Sequence, residues 1–411
     1  MSRAPAPLAG IDIGTTKVTV VVGERNGDGR PRLCGIGSVP CKGMRKGVLV
    51  NLESVCKALH TAVEEAEAMA GVEISSAFIS VAGGHVRSFN SRGGVKISGR
   101  DGEVTEEDIE RVLSAAQTIS LPPDREIFHV LPQEYALDGQ RGIKQPVGLA
   151  GQRLLANVHV VTGATGTIQN IAGCVNRAGI EVADVVLGQI ASAESVLLPD
   201  ERELGALLID IGGGTTDVAI FEKDTIWHTS VLPAGGDNFT NDIAVGLRTP
   251  IPDAERIKLR FGCASSEMVG SDETLEVPSV GGRKGRILSR QVLCEILEPR
   301  AEEIFTLVAE DVKNSGHDHA ARSGAVLTGG GSILDGIVEV AEKALDMPVR
   351  RGVPECVEGL VDVSGNPKYA TAAGLLSFGI RAGHTRRRAG QAHRLVHDVS
   401  RRVRSWLGTY F

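Results

Sequence analysis

Apolar positions along the chain switch between two periods, and the switches mark out its elements. Residues 8–22 read as a strand, a glycine turn and a second strand dense in β-branched residues, with a third strand expected over 33–39. From Asn51 the period lengthens: Leu52, Val55, Cys56, Leu59, Val63 and Ala66 recur at three and four, predicting a helix capped by Asn51 and ended at Gly71. A strand over 77–81 follows, and the order β-β-β-α-β predicts a mixed sheet with helices on its face.

Residues 83–163 read as an inserted module. It has short strands near 85–89 and 94–97, a helix started by Thr105-Glu-Glu-Asp108, and strands over 126–132 and 154–161. Helices are expected at 166–178 and 189–198, around a strand at 182–187. The opening architecture then recurs, with an apolar strand at 206–210, a glycine turn, and strands at 217–221 and 225–232. Helices at 238–245, 252–260 and 289–313 precede a buried strand, 324–328, which runs into Gly329-Gly330-Gly331. Helices at 334–345 and 369–380 end the body. The repeat of strand-turn-strand units about 200 residues apart is the most informative feature of the layout.

At 411 residues, two or more domains are expected. The division expected is a first lobe over 1–82 and 164–205, the insert at 83–163, a second lobe over 206–368, a closing helix at 369–383, a basic linker at 384–390 and an amphipathic helix at 391–411. Charge sharpens the last boundary. From His384 to Phe411 there are seven arginines and one aspartate, +6, so the other 383 residues carry −13 against a total of −7. An acidic body argues against broad nucleic-acid binding, and a basic tail calls for an anionic partner. The seven cysteines have no CxxC pair or regular spacing, and read as reduced thiols. No signal peptide and no run of about 18 uncharged apolar residues is found, so a cytoplasmic body is expected.

The repeated turns, Asp12-Ile-Gly-Thr-Thr-Lys17 and Asp210-Ile-Gly-Gly-Gly-Thr-Thr-Asp217, carry the chemistry. Gly14, Gly212, Gly213 and Gly214 let backbone N–H groups converge on phosphate oxygens. Thr15, Thr16, Thr215 and Thr216 can add hydroxyl donors, and Lys17 can neutralise a phosphate. Asp12 and Asp210 are the candidate Mg²⁺ ligands, since Mg²⁺ prefers oxygen and keeps several waters. Gly235-Gly236-Asp237 is a glycine turn entering a helix whose N-terminus can face the ligand. One such turn alone is an ordinary hairpin; two, with a later triple glycine, are not. Neither a Walker A loop nor a dinucleotide fingerprint is present.

These loops resemble those of the actin-like ATPase superfamily, which implies an α/β two-lobed fold with ATP and Mg²⁺ clamped between the lobes. The resemblance assigns Gly329, Gly330 and Gly331 to closure over the base, and Glu255 and Lys258 to ribose and adenine contacts. On spacing alone, that last pair is a surface salt bridge on one helix face. Within the superfamily the chain resembles the FtsA family of bacterial cell-division proteins. Lys46-Gly-Val48, Gly83-Gly-His85, Arg125-Glu-Ile-Phe-His-Val-Leu-Pro-Gln133, Ala254-Glu-Arg-Ile-Lys258 and Leu327-Thr-Gly-Gly-Gly-Ser332 carry the likeness by order and spacing. It implies that 83–163 is an FtsA-type subdomain serving self-association and recruitment of later division proteins. It also implies that the chain tethers the tubulin-like FtsZ to the inner face of the cytoplasmic membrane at the division septum. For hydrolysis, superfamily position points to Gln189 and Glu194 as candidates to orient water, alongside Asp210; slow turnover is expected.

In the tail, with Leu395 set to zero at about 100° per residue, Val399, Val403, Trp406 and Tyr410 fall within about 80°, and Val396 and Leu407 extend that face. Arg394, Arg401 and Arg404 lie opposite, with Arg402 at the boundary. The pattern predicts an in-plane anchor on anionic phospholipid; a terminal helix docked on protein is the alternative. Competing functions are a sugar-type kinase, a rod-shape actin homologue, and a chaperone ATPase, which would need a peptide-binding domain after the body.

Overall fold

The structure, a computed structural model, describes residues 7–99, 101–281 and 284–388. The tail positions Leu395, Val399, Arg401, Arg402, Val403, Trp406 and Leu407 lie outside these residues.

The first lobe opens with strands β1 (Leu8–Ile13), β2 (Lys17–Arg25) and β3 (Pro31–Pro40), then a two-residue hairpin, β4 (Met44–Arg45) and β5 (Val48–Leu49). Helix α1 (Leu52–Ala70) starts where the Asn51 side chain accepts the Ser54 N–H and stops at Gly71, whose φ of 68° is left-handed. Strand β6 (Ser76–Val81) leads into the insert: β7 (Arg87–Lys96), α2 (Glu106–Gln117), β8 (Arg125–Leu137), β9 (Gln140–Ile143) and β10 (Arg153–Ala164). Thr105 and Asp108 close a reciprocal capping box on α2. The two strands expected near 85–97 are one continuous strand, because β10 pairs with β7 without a break from Arg153–Lys96 to Thr162–Arg87. The insert packs α2 on its own sheet around Val112, Leu154, Ala156 and Val158.

The first lobe resumes with α3 (Thr165–Arg177), β11 (Glu181–Leu187) and α4 (Gly188–Val196), followed by a short helix, α5 (Pro199–Leu204), that hydrophobic periodicity misses. The second lobe has β12 (Ala206–Ile211), β13 (Thr216–Glu222), β14 (Thr225–Leu232), α6 (Gly236–Gly246) and α7 (Ile251–Phe261). It continues with β15 (Thr274–Val277), β16 (Arg286–Ser289), α8 (Arg290–Ser315), β17 (Ala325–Thr328), α9 (Ile337–Leu345) and β18 (Val349–Arg351); α10 (Val361–Ser364) and α11 (Ala370–Arg388) then return to the first lobe, where α11 packs on β1, β2 and β6.

The two large sheets have the same topology. One runs β11-β6-β1-β2-β3 and the other β14-β13-β12-β17-β18. In each, the first hairpin strand pairs antiparallel with its successor and parallel with a later strand. The chain is thus a duplicated mixed sheet with an inserted α/β subdomain. Helices α4 and α11 follow the last strands of the two sheets and cross backbone to backbone. A Cβ on Gly374 would lie 1.7 Å from the Ala191 carbonyl oxygen. Helix α11 reaches Arg388, so residues 384–388 of the expected linker are helical. They hold no proline, and arginine supports a helix.

The insert also meets the second lobe at β14. Ser88 Oγ donates to the Thr229 carbonyl at 2.8 Å, Asn90 Nδ2 to the Trp227 carbonyl at 3.1 Å, and Gln133 Nε2 to the Ile226 carbonyl at 3.0 Å. The buried His159 Nε2 and the Thr229 hydroxyl share a hydrogen bond of 2.9 Å.

Candidate functional site

Both phosphate turns close in the same way. Gly14 N–H donates to the Lys17 carbonyl at 2.9 Å, and Gly212 N–H to the Thr215 carbonyl at 2.8 Å. The strand registers agree, with Asp12 opposite Thr19 and Asp210 opposite Asp217. The turns face each other across a cavity of about 120 Å³ lined by Asp12, Gly14, Thr15, Thr16, Lys17, Gly212, Gly213 and Thr215. Ser80, Asp210, Asp217, Gly329, Gly330, Lys368 and Thr371 also line it.

The glycines here are steric requirements. A Cβ on Gly213 would lie 2.4 Å from Thr16 Cγ2, and one on Gly214 2.9 Å from the Thr15 hydroxyl. Gly329, at φ 82°, leaves no room for a Cβ beside Asp210 Oδ1. Gly235, outside both cavities, abuts the Gly212 carbonyl. Gly236 N–H donates to the Gly212 carbonyl at 2.9 Å and Asp237 N–H to the Gly213 carbonyl at 2.7 Å. The N-terminus of α6 therefore buttresses the second turn and does not turn these donors to a ligand, as its sequence suggested. Thr216 is likewise turned away: it is fully buried, and its hydroxyl donates to the Ala234 carbonyl at 2.8 Å.

Acidic groups crowd one wall. Ser80 Oγ donates to Asp12 Oδ1 at 2.6 Å, while Ser192 Oγ at 2.7 Å and Thr371 Oγ1 at 3.3 Å donate to Asp210 Oδ2. Burial pushes the Asp210 carboxyl up; the Ser192 hydrogen bond opposes this and the charge of Asp12 adds to it. Asp217 is pushed well above the usual carboxylate range, by burial first and then by Asp210. Its Oδ1 is buried without a hydrogen bond among the described residues. Sequence reasoning quoted Asp217 as the end of a motif and gave it no role; its register opposite Asp210 is the signal that was missed.

The residues expected to orient water stand elsewhere. Ser192 turns toward Asp210, and Glu194, two residues on, lies roughly 200° around the helix. There it pairs with Arg202 at 3.3 Å and with Arg381. Gln189, fully buried, donates from Nε2 to the Ser230 carbonyl at 3.1 Å. Neither lines the cavity.

A second cavity of about 340 Å³ shares Thr16, Lys17, Gly212, Gly213, Gly330 and Lys368 with the first. It extends over Gly236, Gly331, Ile333 and Leu334 to Glu255 and Lys258. Those last two form an ion pair of 2.7 Å, and Lys258 Nζ also donates to the Gly236 carbonyl at 3.0 Å. The pair is half-buried and lines the chamber. The joined shape is a narrow polar throat opening into a wider, more apolar chamber.

Comparison with known proteins agrees with this arrangement. The profile of the family described as "Cell division protein FtsA" matches residues 207–374, and that of the "SHS2 domain inserted in FTSA" matches residues 83–162. A Pseudomonas aeruginosa relative named "Cell division protein FtsA" is 52% identical over 91% of this chain and 89% of its own length. The Escherichia coli K12 protein of that name is 42% identical over 98% of each chain. Among solved structures, a PilM–PilN type IV pilus biogenesis complex shares the fold at 16% identity and TM-score 0.64, over 91% of this chain and 98% of that one. MreB 5 of Spiroplasma citri bound to AMPPNP does so at 14% identity and TM-score 0.56, over 94% and 100%. The insert between β6 and α3 is thus the domain that the family model names, and the chain belongs to the FtsA family of actin-like cell-division proteins.

Proposed function

We propose that this chain binds ATP between its lobes and assembles with copies of itself at the inner face of the cytoplasmic membrane. There it tethers FtsZ at the division septum and recruits later division proteins through the insert. The observation that carries the nucleotide reading is the convergence of two glycine turns and a third glycine loop on one throat-and-chamber cavity. The Gly14 and Gly212 N–H groups close their own turns, so the backbone donor of Gly213, the hydroxyls of Thr15, Thr16 and Thr215, and the Lys17 ammonium are the groups that suit phosphates. Gly236, Glu255, Lys258 and Gly331 suit the sugar and base. A solved relative by fold, MreB 5, is bound to AMPPNP.

Asp12 and Asp210 suit Mg²⁺. Among the described residues no group of three or more His, Cys, Asp or Glu holds a metal alone, so the ion would complete its shell with phosphate oxygens and water. Mg²⁺ supplies charge neutralisation to the phosphates when bound. Asp217 is our candidate to hold the attacking water. Among the described residues its Oδ1 has no hydrogen-bond partner, and a raised carboxyl lies nearer the working pH of a general base.

No described helix is long and apolar enough to cross a membrane. The amphipathic pattern of 391–411 supports a peripheral attachment. Sedimentation with anionic liposomes, with and without ATP, tests both halves of the proposal, comparing the full chain with a version ending at Arg388. Only the full chain should pellet with lipid, and ATP should yield filaments on it. Equal pelleting of the two versions would sink the anchor, and filaments formed equally well without ATP would sink the link between nucleotide and assembly.

A further inference from the structure

Lys368 stands where the two cavities join, and it lines both. It sits on a 3₁₀ turn, Pro367–Tyr369, immediately before α11. That turn is pinned at both ends. The Asn366 side chain accepts the Lys368 N–H at 3.1 Å, and the Pro367 carbonyl accepts the N–H of Gly329 in the third glycine loop at 3.2 Å. The Lys368 ammonium lies 4.7 Å from the centre of the Tyr369 ring, and the Lys17 ammonium lies 5.1 Å from the same centre. One aromatic ring thus positions two cations, no more than 9.8 Å apart, the sum of those distances. Among the described residues neither lysine has a carboxylate within ion-pairing distance, and Lys17 donates only to the Thr19 hydroxyl, at 2.8 Å. Like charges held this close repel: burial lowers the Lys17 pKa, the Asp12 carboxylate opposes this, and the positive field of Lys368 adds to the lowering. A multiply charged anion lodged between them relieves both.

We propose that Lys368 is a second phosphate-binding cation of the nucleotide site, beside Lys17, and that the start of α11 is thereby part of that site. The inference rests on the ATP reading above. Lys17, from the first turn, and Lys368, from the start of the last helix, both line the two cavities, so they face the junction, where a nucleotide's phosphates would lie, from two separate elements. Thr371, one residue into α11, lines the throat and donates to Asp210, so the same helix start touches the cavity twice.

Titration calorimetry of the full chain with ATP, ADP and adenosine tests this, using Lys368→Met, which keeps the stem over Tyr369, Lys368→Arg, which keeps the charge, and Lys17→Ala. Lys368→Met should weaken ATP and ADP roughly tenfold or more while adenosine changes by less than about twofold, and Lys368→Arg should restore the unsubstituted affinity. Slowed hydrogen exchange over residues 370–374 on adding ADP should appear in the unsubstituted chain and disappear in Lys368→Met. Unchanged ATP affinity in Lys368→Met overturns the inference, as does an equal loss of adenosine, which would mark a packing role. If the unsubstituted chain binds no nucleotide, the ATP reading falls and this inference falls with it. If it binds and only Lys17→Ala weakens ATP, the inference alone falls.

Discussion

The two phosphate turns agree in their first three residues, Asp-Ile-Gly, and differ in the next three. Their registers place Thr15, Thr16 and Lys17 where the second turn has Gly213, Gly214 and Thr215. The similar threonine pairs that stand out in sequence are thus not equivalent in space. The difference is complementary: the first turn supplies side chains and the second supplies the room they occupy. On the neighbouring strand Thr19 holds the Lys17 ammonium, while its counterpart Asp217 presses a second carboxylate against Asp210. A duplicated motif has become one arm with a cation and one with an acidic wall, and two identical arms would not close on each other.

Copying the first turn into the second should break this most severely. Gly213→Thr drives a side chain into Thr16, and overpacking of that kind should weaken ATP binding by about 10- to 100-fold or more, read by calorimetry. Lys17→Ala removes the cation of the first arm and should weaken ATP by roughly tenfold or more, with adenosine affinity unchanged. Thr19→Asp makes the first arm resemble the second. A carboxylate there would capture Lys17, and ATP affinity should fall about tenfold in a chain that still folds, checked by circular dichroism.

Asp217→Asn relieves the acidic wall. The folded carboxyl is raised above its unfolded value, so burying it is free of penalty below the unfolded pKa and destabilising as pH rises through the folded one. The variant should melt a few degrees higher than the unsubstituted chain near pH 8, with the gap shrinking as pH falls toward 4, and any ATP turnover should drop. Glu194→Gln should have the smallest effect on nucleotide chemistry. Turnover should stay within about twofold, while Arg202 and Arg381 each lose the ion pair with Glu194 and stability falls slightly.

Much of the fold was legible because its signals are local. Asn51 and Gly71 bound α1, and Thr105 with Asp108 starts α2, since caps satisfy backbone groups within a turn of their own residue. Apolar runs after glycine turns marked both hairpins. The insert's single long strand was not legible: polar positions such as Asn90 and Arg92 broke the pattern of β7, and its continuity depends on the distant β10. The glycines and Lys17 were readable in the site because their chemistry follows from residue type. Which way Glu194, Gln189 and Thr216 turn is set by α4 and β13 packing against other elements, and spacing toward a motif does not report it. Asp217 and Lys368 were passed over for the complementary reason: their importance lies in what register and a distant 3₁₀ turn bring beside Asp210 and Lys17.

The bonds between the insert and β14 have a mechanical consequence. By covalent continuity the insert belongs to the first lobe, entering after β6 and leaving into α3. By hydrogen bonding it clasps the second, through Ser88, Asn90, Gln133 and His159. It is a brace between the two lobes. Any widening of the cleft must either strip those bonds from β14 or flex the two joints near Gly83 and Ala164, so the stiffness of this strap limits how far the jaws can part.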